Sequence, residues 1–368
     1  MFVLTPLCPE AEKERRCPVC GEEAGEGHGQ VKRRIRDVRY EEVRVQRMRC
    51  RACGYTYRVY GEGLEPYRWR SRRVRQLGVM LYALGLSYRK VEMVLRSLEA
   101  GASDTTVLRD VRGAGERVRE MHKALAGRVR VQRVGIDGTG VAMAGAETAG
   151  VVAVVDLDGG KVLRIKLVDE RDREAVRRLV REVLLAFGPE EMVTDEEENY
   201  AQALEEVKLE GEVEGRPAPA HRLCAARFRR NKGRRLEELA ERAREEGRPL
   251  LAMEARALRA LLKSPPEVLR RVGREFHRMY RRAPPPGKGE RASWTYRMRL
   301  LGLELMEKGK KVTGITNNRT EAAIGNGFKI RTKTMRGLKK VETCENLLYL
   351  LAWFAEHSRS PERVVIPV

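Results

Sequence analysis

Three carboxylates stand far apart in this chain, each in a setting that suits metal-ion chemistry. Asp137 closes the apolar run VRVQRVGID, Asp195 closes the short run MVTD, and Glu321 sits in TNNRTEAAIGNGFKIR, which runs on into a basic stretch. In so basic a chain, acids placed beside Arg- and Lys-rich segments call for something positive to hold. Carboxylate oxygens are hard ligands suited to Mg2+ or Mn2+. Two such ions about 3.5–4 Å apart stabilise both the attacking and the leaving oxygen when a phosphodiester is exchanged. Asp137 would bridge the two ions, with Asp195 and Glu321 each completing one side. Other acids read differently. Asp156, Asp158, Asp169 and Asp172 fit turns, and Glu196, Glu197 and Glu198 fit the acidic preference of a helix N-terminus.

A second metal set is more local. Cys17, Cys20, Cys50 and Cys53 form C-x2-C-x29-C-x2-C, each pair followed by a glycine, Gly21 or Gly54. Such a pair reads as a tight knuckle whose glycine takes a backbone conformation that other residues resist. Four thiolates close a tetrahedron around one structural zinc ion and leave no open position for chemistry. The intervening VKRRIRDVRYEEVRVQRMRC alternates as a hairpin that brings the second knuckle to the first. Cys8 and Cys344 lie off ligand spacing. An odd count of seven cysteines, four of them in paired spacing, argues against a disulfide framework and for a reducing compartment.

Charge points to the partner. The chain carries a net +21, and residues 31–135 alone hold 26 Lys and Arg against 11 Asp and Glu. Clustered positive charge favours a polyanion, above all nucleic acid, because binding releases condensed counterions. No stretch approaches the roughly 18 apolar residues of a membrane span, and MFVLTPLCPEAEKERR lacks signal-peptide order, so a cytoplasmic protein is expected.

The elements that must position these residues follow from periodicity. Residues 71–118 read as three short helices: one with Val74, Leu77, Leu81 and Leu84 inward, one capped by Ser87 with Val91, Val94, Leu95 and Leu98 inward, and one opening at Ser103. This matches a helix-turn-helix whose last helix offers Ser103, Thr105, Thr106, Arg109 and Arg112 to a major groove, with Arg68, Arg70, Arg72 and Arg73 just ahead of it as further DNA contacts. Strands are then expected over RVRVQRVGID, AGVVAVVDLD and KVLRIKLVD, a helix from about 172 to 187, and a strand at EMVTD. That order is the front half of an RNase H-like α/β fold, a mixed sheet flanked by helices, with Asp137 on the central strand. The long interval from Asp195 to Glu321 reads as an all-helical insertion at about 222–312. Its arginines, Arg227, Arg229, Arg230, Arg234 and Arg235, together with Lys232, are expected to face phosphates or solvent, and Trp294 either to pack in a core, the favoured reading, or to stack on an unpaired base near the cut end. The domains are therefore a zinc ribbon at 1–66, a helix-turn-helix at 67–128, a catalytic domain at 129–358 and a C-terminal tail at 359–368.

The chain resembles the DDE transposases of bacterial insertion sequences, particularly those with a helical insertion in the core. The matching residues are Gly135-Ile136-Asp137-Gly138-Thr139, Val193-Thr194-Asp195 and Thr316-Asn317-Asn318-Arg319-Thr320-Glu321, followed by the basic Lys329, Arg331 and Lys333. Relatives of this kind often carry a Cys-x2-His pair at the start of the insertion. Here Cys224 fits the cysteine, but Arg227 stands in place of the histidine. The resemblance implies an enzyme with catalytic Asp137, Asp195 and Glu321 holding two Mg2+ or Mn2+ ions, and Lys329, Arg331 and Lys333 on DNA. It further implies a partnership with double-stranded DNA, both element ends and target, in a homodimer or larger assembly, with no covalent protein intermediate. The alternative is a DNA-binding regulator or domesticated remnant without catalysis. His221 is expected to be a structural hydrogen-bonding residue.

Overall fold

A computed structural model of the chain describes residues 1–11, 16–144, 148–209, 218–288, 291–312, 314–333, 341–358 and 360–368. The fold is mixed α/β and divides into two compact units: Met1–Lys123 with Ala142–Ala146 and Asn326–Val368, and Ala124–Val141 with Glu147–Gly325.

The first unit opens with a two-residue strand, β1 (Phe2–Val3), followed by β2 (Gly25–Arg34), β3 (Glu42–Cys50) and β4 (Thr56–Val59), which form an antiparallel sheet in the order β2-β3-β4. Strand β3 alternates, burying Val43, Val45, Met48 and Cys50, but Gln46 is also buried. The register of β2 shifts between Gly27 and Gln30, and the Gln46 amide donates to the Gly29 carbonyl at 2.9 Å, so the irregularity is hydrogen-bonded rather than empty.

Three helices come next, α1 (Arg72–Ala83), α2 (Tyr88–Ser97) and α3 (Asp104–Lys123). Ser71 and Ser87 cap the first two, their hydroxyls accepting from Val74 N and Lys90 N. The inward faces differ from the sequence expectation. Val74 is buried, but Leu77 and Leu81 are only half-buried and Leu84 is exposed. The stripe is rotated onto Gly78, Val79 and Tyr82, because Gly78 meets the side chains of Val91 and Leu95 and Tyr82 stacks on Tyr88 at 4.3 Å. In α2, Val91 and Leu95 are buried, Val94 is half-buried and Leu98 is exposed. Helix α3 is a single helix of 20 residues, since Val107, Val111, Ala114 and Val118 keep one face buried to its end.

The arginines before α1 are also placed differently from expectation. Arg70 pairs with Asp110, Arg73 pairs with Asp37, and Arg75 bonds Glu65 at 2.7 Å and Asp110 at 3.3 Å. Arg72 pairs with Glu65 at 3.2 Å. A buried guanidinium left unpaired would cost several kcal/mol, so Arg70 and Arg73 are committed to holding the helices to the sheet rather than to phosphates.

The second unit is built on a five-stranded sheet. Its elements are β5 (Arg133–Ala142), β6 (Thr148–Asp156), β7 (Val162–Lys166), α4 (Arg173–Phe187), β8 (Glu191–Thr194), α5 (Glu198–Leu209) and β9 (Ala220–Leu223), and the strand order is β7-β6-β5-β8-β9. Strands β5, β8 and β9 run parallel, whereas β6 and β7 are antiparallel. Helix α4 starts at its N-cap Asp172, ends at left-handed Gly188, and buries Val176, Leu179, Val180, Val183, Leu184 and Phe187 against the sheet residues Val134, Ile136, Val152 and Val154. Strand β5 runs on past Asp137, which is therefore mid-strand.

Helices α6 (Ala225–Glu245), α7 (Pro249–Leu261), α8 (Pro266–Met279) and α9 (Trp294–Lys308) form the insertion, with a core of their own around Phe228, Leu236, Leu258, Leu269, Met298 and Leu305. Gly273 of α8 meets the backbone of Gly302 and Met306 in α9, where no side chain would fit between the helices. Trp294 is buried there edge-on to Tyr280, as core packing requires. After the 3-10 turn Gly309–Lys311 come α10 (Asn318–Ala322), a π-helical segment Ala323–Lys329, α11 (Ile330–Thr332), α12 (Val341–Ser358) and β10 (Val364–Val365).

The C-terminal elements group with the first unit. Helix α12, read from sequence as part of the catalytic domain, packs on α3, where Arg119 reaches Glu345 at 3.1 Å and Asn346 at 3.2 Å. The segment expected as a tail contains β10, which pairs in parallel with β1. Among the described residues no helix is long and apolar enough to cross a membrane.

Candidate metal centres

The cysteine set lies at the ends of the β2-β3-β4 sheet, in the turn before β2 and at the turn between β3 and β4. Cys17 and Cys20 flank one knuckle, Cys50 ends β3, and Cys53 follows in the turn to β4. Gly21 and Gly54, with φ of 77° and 75°, donate their N–H groups to the carbonyls of Cys17 and Cys50 at 2.9 Å. The four Sγ atoms lie within 4.8 Å of one another, with Cys17–Cys53 at 3.7 Å and Cys20–Cys50 at 3.6 Å. Zinc–sulfur bonds of 2.3 Å in a tetrahedron put sulfurs roughly 3.8 Å apart, so the set fits one zinc ion. The backbone N–H of Cys20 is the largest influence lowering the Cys17 thiol, to about 7, while burial and the neighbouring thiols raise Cys20, to about 12, and Cys53, so the first thiolate of the set forms at Cys17.

The second centre is carboxylate. Asp137 on β5, Asp195 just past β8 and Glu170 in the connection before α4 each bring an oxygen within 4.8 Å of the others. Parallel pairing of β5 with β8 delivers the two aspartates. Glu170 arrives because Gly138 has no side chain, for a Cβ there would overlap its carboxylate. Its position is fixed by Tyr200, whose hydroxyl donates to Oε1 at 2.7 Å, and by Asn199, which donates to the Glu170 carbonyl at 2.6 Å.

A cation already touches the cluster. Arg227, the third residue of α6, places Nη1 2.8 Å from both Asp137 Oδ1 and Asp195 Oδ2. The sequence reading sent this arginine toward phosphates or solvent, but it lies between the acids. Three carboxylates against one guanidinium leave two unbalanced negative charges when all are ionised. At 4.8 Å and an effective dielectric near 20, each like-charge pair costs about 3 kcal/mol, so the arrangement favours a further cation. On two of the acids, burial and like charge act in the same direction. Burial, with Asp195 adding to it, raises Asp137, and burial followed by the charges of Asp195 and Asp137 raises Glu170. Although burial opposes it, Asp137 and Asp195 hold Arg227 above its usual value.

Glu321 is the sequence candidate that the cluster omits. It lies half-buried on α10, and its charge helps to hold Arg227 protonated, yet it is not one of the acids within 4.8 Å. The third acid at that reach is Glu170. The Thr-Asn-Asn motif instead bolts α10 to the sheet: Asn317 donates to the Ile136 carbonyl at 2.8 Å, and Asn317 and Thr320 fill the space left by Gly135. Arg319 bonds the carbonyls of Leu157 and Asp158. Among the competing acids, Asp169 bonds the Arg171 N–H, Asp172 caps α4, and Glu196 pairs with Lys232 of α6 at 2.8 Å. Glycine beside an aspartate inside a strand was the signal for Glu170, because it marks a close approach.

No family model matches the sequence, and a search of curated proteins finds no match.

The other candidates divide by accessibility. Thr105, Arg109 and Arg112 on α3, and Lys333 beyond α11, are exposed, as is Arg68 despite a pairing with Glu65 at 3.7 Å. Lys329 is half-buried. Ser103 caps α3, accepting from Thr106 N at 3.3 Å and bonding the Thr105 and Thr106 hydroxyls. Arg331 donates to the Leu86 carbonyl at 2.9 Å and lies over the Tyr82 ring at 4.9 Å, an internal role. In the insertion, Lys232 and Arg235 pair with Glu304 and Arg229 bonds the Leu262 carbonyl, whereas Arg230 and Arg234 are exposed. His221 bonds the Thr194 hydroxyl at 2.8 Å, the structural role expected of it, and burial, with Lys311 and Lys208 adding, lowers it to about 4. Buried Cys224 accepts the Asn317 N–H at 3.2 Å.

Proposed function

We propose that this protein is a DNA-processing enzyme of the DDE-transposase kind, which cleaves and rejoins phosphodiester bonds with divalent metal in an RNase H-like core. The observation that carries the reading is the convergence of Asp137, Glu170 and Asp195, from three separate elements, to within 4.8 Å around the centre of the sheet. The strand order, with the third, second and first strands followed by the fourth and fifth, supports an RNase H-like core.

Asp137, Glu170 and Asp195 would hold the metal, which when bound supplies charge stabilisation to the attacking and leaving oxygens. Tyr200 orients Glu170 by its hydrogen bond, and Gly138 leaves room for it. Asn317 and Thr320 fix α10 on β5 so that Glu321 stays within electrostatic reach of Arg227. Displaced from the aspartates, the Arg227 guanidinium has a five-donor fork suited to a DNA phosphate. The cysteine-bearing sheet and the exposed face of α3 would bind element ends, as the clustered positive charge favours.

A second reading, a DNA-binding regulator without catalysis, draws support from Arg227, which partly neutralises the aspartates without any metal. Incubating supercoiled plasmid and element ends with the protein and Mg2+ separates the two. Nicking and strand transfer by wild type but not by Asp137→Ala is expected. Equal products from both, or none from either while DNA is bound, refutes the enzyme.

A further inference from the structure

The loop between the cysteine-bearing sheet and α1 carries Tyr67, Arg68 and Trp69, and all three are exposed, Tyr67 at 93% and Trp69 at 68%. Two large aromatic groups lining one groove on a water-facing loop make an exposed patch of the kind that marks an interaction site. The loop is not slack. Arg33 donates to the carbonyls of Glu65 and Arg68, the Trp69 carbonyl accepts from Arg36 N at 2.8 Å, and Ser71 N donates to the Arg36 carbonyl at 3.2 Å. Tyr67 nevertheless adopts φ 59°, a left-handed conformation that bulky residues seldom take. Backbone held rigidly in such a state, with rings turned out, is preorganised to receive something flat.

Charge and neighbours specify what. A groove of about 530 Å³ runs beside Trp69, lined by Arg36, Tyr67, Arg68, Arg70, Ala102 and Thr106. It therefore abuts the start of α3. Arg70 is neutralised by Asp110, but Arg36 and Arg68 remain exposed, and Arg34 lies along the other side of Trp69. Glu41 and Glu42 also border that far side, so positive charge dominates only the side facing α3. Exposed rings alternating with guanidinium groups suit nucleic acid, since rings stack on bases while arginine takes phosphate.

We propose that Tyr67 and Trp69 form a stacking site for an unpaired DNA base, with Arg68 on the adjoining phosphate. The proposal rests on the DNA-binding half of the function above and not on the carboxylate centre.

The three tryptophans make the test direct, because Trp294 and Trp353 are each 3% exposed and only Trp69 faces solvent. Titrating the full-length protein with a duplex bearing a single-stranded tail should quench the exposed tryptophan emission. Trp69→Ala should bind that DNA roughly 5- to 150-fold more weakly, the range for losing one stacked base. Trp69→Phe should recover most of the affinity. The slope of log affinity against log salt should stay unchanged in Trp69→Ala and fall by about 1 in Arg68→Ala. Unchanged affinity in Trp69→Ala with no quenching in wild type overturns the stacking site while DNA binding stands. So does an equal loss on blunt and tailed duplex, which assigns the rings to duplex contact. Failure of wild type to bind either DNA overturns the site and the DNA-binding reading together.

Discussion

The two candidate metal centres are built on opposite plans. The cysteine set draws its ligands from two short knuckles on one small sheet, and every ligand is a cysteine at fixed spacing. The carboxylate set draws on β5, the end of β8 and the connection before α4, and includes a cation, Arg227, from the insertion. A centre made of local turns takes its shape from residues close together in the chain. A centre assembled across a sheet carries unbalanced charge and depends on distant residues for its shape.

That contrast is broken most severely by removing zinc. Apparent zinc-binding free energies in small cysteine modules run to about 10–16 kcal/mol, and that energy is folding energy. Cys50→Ser, or a strong chelator, should release one equivalent of zinc, read with a colorimetric indicator. It should also abolish hydrogen-exchange protection across β2, β3 and β4. Retained protection would mean that the sheet stands without metal, and the distinction between the centres would fail.

Asp137→Asn should act on affinity instead of folding. Because it removes a ligand and not an outer partner, Mn2+ binding measured calorimetrically should weaken by more than the roughly 100-fold typical of outer-shell changes. Glu170→Gln should weaken binding as well, and a variant at Glu321 should do so less. The reverse order would restore Glu321 as the third ligand.

Acid should expose a third difference. His221 is lowered from 6.5 to about 4, so between those values the unfolded chain takes up a proton that the folded chain refuses. Stability is fully present above pH 6.5 and is lost as pH falls toward 4, by about 3 kcal/mol in total. Melting temperature against pH, with zinc held saturating, should show this slope in wild type and lose it in His221→Gln. A slope that survives the substitution would assign the acid loss elsewhere.

The smallest effects separate two glycines of β5. Gly135→Ala drives a methyl group into buried Asn317 and Thr320 and should cost about 1–3 kcal/mol in chemical denaturation. Gly138→Ala meets the end of the flexible Glu170 side chain, which can swing away. It should cost less stability and show mainly as weaker Mn2+ binding. Equal stability losses would mean that Glu170 is held as tightly as the α10 docking.

Some of this was legible before folding. The knuckles could be read because ligand spacing and the glycines at positive φ lie within a few residues of each other. The serine caps and the strand and helix order after residue 130 were legible for the same reason. The inward face of α1 was not, because Gly78 and Tyr82 owe their burial to α2 and not to periodicity. Nor was the use of Arg70 and Arg73, whose partners Asp110 and Asp37 lie on other elements.

The sequence alone thus determined the four-thiolate set, the clustered positive charge, the segment types, and that Asp137 and Asp195 each follow an apolar run. Only the tertiary structure decided that Glu170 joins them, that Arg227 lies between them, and that Glu321 stands one partner removed. The physical reason is range. Turn geometry and capping act over a few residues, whereas which charges meet depends on how strands align and on where a missing Cβ leaves space.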